Sequence, residues 1–143
     1  MGEFVLNIPE LKMKKLGEVY IVDDDQIYTF LLTKQIGRME FCDAIRVFGH
    51  GGEALDELEA NSDHPEKLPD LILLDLNMPV CNGWQFLDRI SGLALQKNIP
   101  IDIISSSVNT SEHQKATGYP GVGNFYTKPV TQQTLSKILE AVQ

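Results

Sequence analysis

Short apolar runs recur along the chain, and each one is bounded by polar or turn-forming residues. Runs with no polar position inside them, such as residues 71–74, are typical of strands buried on both faces of a sheet. Such strands need a layer of helices on each side. We predict five strands, at residues 19–22, 44–48, 70–74, 101–104 and 124–127; the second of them alternates loosely and is rich in strand-forming residues.

Segments with a helical spacing of apolar residues follow these strands. In the first segment, Ile27, Phe30 and Leu31 precede Gly37, which predicts a helix over residues 26–36. Similar patterns predict four further helices that begin near residues 51, 84, 110 and 131. Strands that alternate with helices predict an α/β fold with one parallel sheet, right-handed crossovers and helices on both faces.

The composition limits the number of domains and the class of partner. The chain has 143 residues, 43% of them hydrophobic, which suits one domain with a core and excludes two full domains. Residues 1–17 lack a sustained period, so we assign them to an N-terminal tail and residues 18–142 to the domain. The formal net charge is −8 and no basic stripe is present, so we expect no direct contact with nucleic acid.

The cysteines and the hydropathy indicate the compartment. Cys42 and Cys81 are too few for a disulfide framework and lack the spacing of a zinc site. No apolar stretch approaches the roughly 20 residues that span a bilayer, and the N-terminus lacks the pattern of a secretory signal. We therefore expect a cytoplasmic protein without a membrane partner.

Polar residues follow four of the predicted strands. Asp23 and Asp24 come after the first strand, Asp75 after the third, Ser105 after the fourth and Lys128 after the fifth. The carboxyl ends of parallel strands share one edge of a sheet, where open α/β folds bind their ligands. We therefore expect these side chains to converge. An Asp carboxylate is a competent acceptor for a phosphoryl group, so the pattern predicts phosphoryl chemistry at Asp75.

The order of these motifs resembles that of a known family. The acidic pair after the first strand, Asp-Leu-Asn-Met-Pro at residues 75–79 followed by Gly83, the hydroxyl residue Ser105 and the pair Lys128-Pro129 are similar to the receiver domain of two-component response regulators. The resemblance covers residues 18–142. It implies a flavodoxin-like (βα)5 fold and a stand-alone receiver without an output domain of its own.

The resemblance also implies a role for each residue of the site. Asp75 is the phosphorylation site, and Asp24 and Asp75 bind Mg²⁺ directly. Asp23 acts on the ion largely through water, and Asn77 contributes its backbone carbonyl oxygen. Lys128 pairs with the phosphoryl oxygens, and the peptide bond that follows it is cis.

The resemblance implies a switch as well. The Ser105 hydroxyl group bonds to the phosphoryl group, and Phe125 is the aromatic residue whose rotamer follows that hydroxyl group. Because Ser105, Ser106 and Ser107 are consecutive, a register shifted by one stays open. Phe125 is equally well explained as a core aromatic residue of its strand.

The implied function is signalling. A sensor histidine kinase or a histidine phosphotransfer protein donates the phosphoryl group, and the domain then switches the binding of an output protein. Such a domain promotes its own phosphorylation and dephosphorylation but is not a classical enzyme. A homodimer through the face of the fourth helix, fifth strand and fifth helix is a further expectation.

Two alternatives stay open. A receiver-like scaffold that is never phosphorylated would show the same fold. A phosphatase with an Asp nucleophile would need a second Asp two residues after Asp75, where this chain has Asn77.

Several other polar residues have simpler interpretations. Asp25 is interpreted as the solvated third acid of its turn and His113 as a surface residue. Asp102 is unusual for a buried strand, so we expect its side chain at an edge or exposed. Asn77 and Ser107 are small and polar, which predicts access of water to the phosphoryl group and a phosphate lifetime of minutes.

Overall fold

The computed structural model describes residues 15–78, 81–106 and 109–142, and within them strands and helices alternate. Pro79, Ser107 and most of the predicted tail lie outside these residues. The strands are β1 (Leu16–Val22), β2 (Cys42–Phe48), β3 (Leu71–Leu74), β4 (Ile101–Ser105) and β5 (Val122–Thr127). The helices are α1 (Gln26–Met39), α2 (Gly51–Ala60), α3 (Gly83–Ile90), α4 (Thr110–Thr117) and α5 (Gln132–Ala141), with a 3₁₀ turn at Pro65–Lys67.

The strands form one parallel sheet in the order β2-β1-β3-β4-β5. The predicted α/β fold with a five-stranded parallel sheet is therefore confirmed. After β1 the chain adds β2 on one side and β3 on the other, so the strand order switches between β1 and β3. A crevice forms at the carboxyl ends of strands at such a switch point, and Asp23 and Asp75 follow these two strands.

Each face of the sheet has its own hydrophobic core. On one face Ile21 and Leu73 pack with Leu32 of α1 and Leu139 of α5. On the other face the neighbouring strand positions pack against α2 and α3 and include Ala116 of α4. Alternate residues of β1 and β3 thus enter opposite cores, which explains why both runs are apolar throughout. Among the described residues no helix has the length and apolarity needed to cross a membrane.

Several element boundaries differ from the prediction, most clearly at the start of β1 and at the end of α1. β1 begins at Leu16 because its backbone N–H group donates to the Phe41 carbonyl oxygen (2.7 Å), and the next N–H group, of Gly17, donates to the Asp70 carboxylate (2.6 Å). α1 does not end at Gly37 but continues to Met39. Glu40, in the left-handed region with φ 55°, then closes the helix through its N–H group on the Gly37 carbonyl oxygen.

The expectation that Asp102 lies at an edge or exposed is wrong. Its side chain is only 5% exposed, and Oδ1 accepts a hydrogen bond of 3.0 Å from the Asn124 backbone N–H group. The β4–β5 register shifts at this point, with Ile101 opposite Val122 and Ile103 opposite Phe125. Because β5 has one extra residue at this point, the Asn124 N–H group has no carbonyl partner in the sheet, and the buried Asp102 carboxylate accepts its hydrogen bond instead.

Gly83 at the start of α3 lies against the strand that carries Asp75. A Cβ atom at this position would approach the Leu76 Cα atom to 2.5 Å and the Asp75 carbonyl oxygen to 2.7 Å. A capping box between Asn82 and Gln85 fixes the same end of the helix. The absence of a side chain at Gly83 therefore allows α3 to pack directly behind Asp75.

Candidate functional site

Two sheet ladders continue for one residue beyond the strands and thereby position two carboxylates. The Asp23 N–H group donates to the Phe48 carbonyl oxygen, and the Asp75 N–H group donates to the Val22 carbonyl oxygen, both at 2.9 Å. Both Asp side chains are buried, at 4% exposure. Their backbones are thus held by the sheet, while their carboxylates lie in the crevice at its edge.

Asp23, Asp24 and Asp75 form one acidic cluster. Each offers a carboxylate oxygen, and these oxygens all lie within 4.8 Å of one another. Two charges at that distance repel by on the order of 3 kcal/mol at an effective dielectric constant of about 20. The cluster therefore requires positive charge.

Lys128 supplies one positive charge. Its backbone N–H group donates to the Ser105 carbonyl oxygen (2.8 Å), and the peptide bond to Pro129 is cis. The Nζ atom lies 2.7 Å from Asp23 Oδ2 and 3.6 Å from Asp75 Oδ2. Burial alone would lower the pKa of Lys128, but the hydrogen bond to Asp23 and the surrounding carboxylate charges raise it overall. The ammonium form is therefore secure at neutral pH.

The environment of Asp75 raises its pKa. Burial is the largest cause, and the charges of Asp23 and Asp24 act in the same direction. Lys128 and the Asn77 backbone N–H group, which donates to Asp75 Oδ1 at 3.3 Å, oppose the shift. A bound cation would reverse the balance, because it favours the ionised carboxylate.

Ser105 and Asn77 lie at the rim of the cluster. Ser105 is fully buried at the end of β4, and its Oγ atom accepts a hydrogen bond of 3.3 Å from Asn77 Nδ2. Ser106 is exposed, and Ser107 lies outside the described residues. The Asn77 side chain thus contacts the hydroxyl residue, and a ligand role of its backbone carbonyl oxygen stays a prediction.

Phe125 has a partner that the sequence did not indicate. The His113 ring of α4 stacks on the Phe125 ring with 3.6 Å between centroids and 23° between planes. The His113 Nε2 atom is buried and has no hydrogen-bond partner among the described residues. The interpretation of His113 as a plain surface residue is therefore wrong, because the ring joins α4 to β5.

Tyr28 is a second residue that sequence reasoning missed. It lies in the first turn of α1, and its ring lies under Lys128 Nζ, 4.7 Å from the centroid. Asp25, interpreted above as a solvated acid, is the N-cap of the same helix and accepts from the Tyr28 N–H group (3.0 Å). An Asp directly before the first residue of a helix is a capping signal that the sequence shows. The sequence does not show the contact between the Tyr28 ring and Lys128.

The acidic cluster fits a hard divalent cation. Its donors are carboxylate oxygens, which Mg²⁺ and Ca²⁺ prefer over nitrogen or sulfur. The Lys128 ammonium group contacts the Asp23 carboxylate, which shows that the crevice attracts positive charge. Asp23, Asp24 and Asp75 are therefore the residues that would hold such an ion.

The sequence matches a family model described as the response regulator receiver domain, over residues 19–140. The chain is 30% identical over 125 residues to the chemotaxis protein CheY1 of Helicobacter pylori, an alignment that covers 87% of this chain and 95% of that protein.

Solved structures show the same fold. A two-component response regulator from Cytophaga hutchinsonii superposes with a TM-score of 0.80 at 27% identity and covers 90% of this chain and 98% of its own. A response regulator receiver protein from Dyadobacter fermentans superposes with a TM-score of 0.75 at 28% identity, covering 88% and 97% of the two chains. The described strands and helices therefore form a fold that these proteins share.

Proposed function

The chain belongs to the family of response regulator receiver domains, and we propose from this premise that Asp75 accepts a phosphoryl group from a phosphohistidine of a partner protein. The phosphorylated state then changes the binding of an output protein. Receiver domains are signalling phosphoacceptors rather than classical enzymes. The observation that carries the proposal is the buried Asp75 carboxylate with two further carboxylates and the Lys128 ammonium group around it.

The proposed reaction is a transfer between two nucleophiles. An Asp75 carboxylate oxygen forms a bond to phosphorus, while the bond between phosphorus and the donor imidazole nitrogen breaks. The nitrogen keeps the electron pair, and because the other ring nitrogen of the phosphohistidine carries a proton, the donor leaves as a neutral histidine. Hydrolysis of the acyl phosphate later returns Asp75 and inorganic phosphate.

Mg²⁺ is the cation proposed for the acidic cluster, held by Asp24 and Asp75 directly and by Asp23 through water. Its chemistry is charge neutralisation between the carboxylates and the incoming phosphoryl oxygens. Lys128 contributes a second, compact charge beside Asp75, where its ammonium group can donate to a phosphoryl oxygen. The Ser105 hydroxyl group is proposed as a further donor.

A groove beside the cluster supports docking of a helical phosphodonor. Three apolar residues on α1 are exposed, with Ile27 at 76%, Phe30 at 61% and Leu31 at 56%. The groove between α1 and the segment after Lys128 also contains Lys34 and Arg38, and none of the described residues that line it is acidic. An amphipathic helix with acidic residues beside its apolar face matches this surface. A sensor kinase or a histidine phosphotransfer protein would present such a helix.

The contact between Phe125 and His113 supports a role for α4 in output. A rotation of Phe125 toward Ser105 would break the stack with His113 and release α4 from β5. The face of α4, β5 and α5 is therefore the proposed site for the output protein or for a second copy of the chain. Phosphorylation acts by shifting the population between the stacked and the released arrangement.

Acetyl phosphate provides a direct test, because a small donor needs no docking surface. With Mg²⁺ present, the intact protein should gain the mass of one phosphoryl group, and Asp75→Asn should abolish the gain. Asp56→Asn, which removes an exposed carboxylate from α2, is the matched control and should be phosphorylated like the wild type. Unchanged uptake in Asp75→Asn would contradict the assignment of Asp75 as the phosphorylation site. If the wild type takes up no phosphate, the protein is instead a receiver-like scaffold that is never phosphorylated.

The docking surface is tested by comparing two donors. Leu31→Glu should slow transfer from a phosphorylated kinase or phosphotransfer protein by about tenfold or more, since it places a charge in the apolar contact. Uptake from acetyl phosphate should not change. Gln114→Glu on α4 adds the same charge elsewhere and serves as the control. Equal slowing with both donors would show that the substitution damages the site instead of the docking.

A further inference from the structure

The Tyr28 side chain contacts the segment of Lys128 at two points. Lys128 Nζ lies 4.7 Å from the centre of the Tyr28 ring, within the range of cation–π attraction. The Tyr28 hydroxyl group accepts a hydrogen bond of 3.4 Å from the Val130 backbone N–H group, two residues further along. The ring therefore faces the ammonium group, and the hydroxyl group holds the backbone that carries it.

The acidic turn at residues 23–25 holds the backbone of Tyr28. The Asp25 carboxylate accepts from the Tyr28 N–H group at 3.0 Å, and the Asp25 N–H group donates to Asp23 Oδ1 at 2.9 Å. Tyr28 is thus joined by short hydrogen bonds to the acid that pairs with Lys128. Burial raises the pKa of Tyr28, and the negative charges of Asp23 and Asp25 raise it further. The hydrogen bond from Val130 and the charge of Lys128 lower the pKa but do not cancel the shift. The phenol therefore keeps its proton.

Lys128 needs a partner that does not compete with a cation. Its two charged contacts, at 2.7 Å and 3.6 Å, are with Asp23 and Asp75, and both carboxylates are proposed ligands of Mg²⁺. When a cation neutralises them, their hold on the ammonium group weakens. The face of the Tyr28 ring attracts the ammonium group without offering a ligand to the metal ion. A flexible lysine chain loses less entropy on binding phosphate if it is already held.

We propose that Tyr28 is a positioning residue that holds the Lys128 ammonium group beside Asp75 for the phosphoryl group. The proposal rests on the proposed phosphoacceptor function. It predicts that Tyr28 affects the phosphoryl group through Lys128 and leaves the affinity for the metal ion intact. A purely structural role in the acidic turn would instead weaken metal binding and stability together.

The test compares Tyr28→Leu, which removes the ring face, with Tyr28→Phe, which keeps it. Tyr28→Leu should slow phosphorylation by acetyl phosphate, and weaken beryllofluoride binding at saturating Mg²⁺, by about fivefold to thirtyfold. Tyr28→Phe should stay within about threefold of the wild type, because the hydrogen bond to Val130 is long. Mg²⁺ affinity, measured by calorimetry, should be unchanged or tighter in both. Tyr119→Phe, which removes a hydroxyl group that contacts Asp88, is the control and should match the wild type.

A double-mutant cycle decides whether Tyr28 acts through Lys128. In a Lys128→Ala background, Tyr28→Leu should have no further effect on the rate of uptake. Should Tyr28→Leu fail to fold, Tyr28→Met provides bulk without a ring face and carries the same expectation.

Three results would overturn the proposal. They are wild-type rates in folded Tyr28→Leu, a weaker Mg²⁺ affinity in that variant, or an equal loss in the Lys128→Ala background. The failure of the proposed function itself looks different, because the wild-type protein then takes up no phosphate at all.

Discussion

Replacing Asp102 with Asn should stabilise the protein at neutral pH. The carboxylate is 5% exposed, and among the described residues no Lys or Arg pairs with it; its hydrogen bonds come from Asn124. Burial raises the pKa of Asp102, and the backbone and side-chain hydrogen bonds of Asn124 only partly oppose the shift. The ionised form is therefore a cost to the folded state that an amide of the same shape avoids.

The direction in which this stability difference changes with pH follows from proton linkage. Because the folded-state pKa of Asp102 lies above that of the unfolded chain, its contribution to stability is fully present below about pH 4 and is lost as the pH rises through the folded pKa. An amide does not titrate in this range, so the variant gains on the wild type as the pH rises.

The magnitude follows from the burial. Burying an ionised carboxylate costs several kcal/mol, and hydrogen bonds to a charged group each return about 1.5–3 kcal/mol. The remainder is about 1–3 kcal/mol at neutral pH.

Urea unfolding at about pH 4.5 and about pH 7.5, followed by circular dichroism, measures the effect. Because part of the cost is already present at about pH 4.5, the stability of Asp102→Asn relative to the wild type should rise by about 0.5–2 kcal/mol between the two pH values. Asp56→Asn changes the net charge equally at an exposed position and separates the effect of charge from that of burial. A difference that is independent of pH, or that reverses, would refute the reasoning. The raised pKa of Asp75 is common to both proteins, so it cancels.

Three further predictions concern packing, metal binding and phosphate lifetime. Gly83→Ala should destabilise the protein by about 3 kcal/mol in urea unfolding, because its Cβ atom would lie 2.5 Å from the Leu76 Cα atom. Gly37→Ala should instead stabilise the protein by about 0.5–1 kcal/mol, because apart from its own helix no described residue lies within 4 Å of the added atom. Lys128→Ala should tighten Mg²⁺ binding in calorimetry by about tenfold or more, because it removes the competing charge, and weaker binding would contradict the arrangement. The small polar Asn77 should allow water to reach the acyl phosphate, so radiolabelled phosphate should decay within minutes, and a decay over many hours would contradict this.

The fold followed from patterns that depend on neighbours in sequence. The continuous apolar runs of β1 and β3 predicted strands with two cores, and these runs do enter both cores. The start of β1 and the burial of the Asp102 side chain, which the sequence did not predict, depend on distant partners. Gly17 pairs with Asp70, 53 residues away, and the Asp102 carboxylate accepts from Asn124 across a register shift. No local pattern contains that information.

The site could be predicted as far as backbone topology determines it. Residues at the carboxyl ends of parallel strands must share an edge, which brings Asp23, Asp75 and Lys128 together. Tyr28 and His113 lie on helices, and their contacts depend on which way each ring turns. The sequence indicated that Tyr28 lies on a helix close to the acidic turn. It did not indicate that the Tyr28 ring contacts the Lys128 ammonium group.

The charges of the site indicate how phosphorylation could be transmitted. Three carboxylates and one ammonium group leave two negative charges, which a bound divalent cation would neutralise. On the proposed function, the Asp75 carboxylate charge is then replaced by a phosphoryl group that carries about −1.5 to −2. The site would then regain up to one negative charge, with the Lys128 ammonium group and the proposed divalent cation already engaged. A neutral donor has to supply the remaining stabilisation, and the hydroxyl group of Ser105 lies at the rim of the cluster on β4. Ser105 pairs with Thr127 of β5, two residues from Phe125, so on the proposed function a movement of Ser105 toward the phosphoryl group would act on the strand whose Phe125 ring contacts α4.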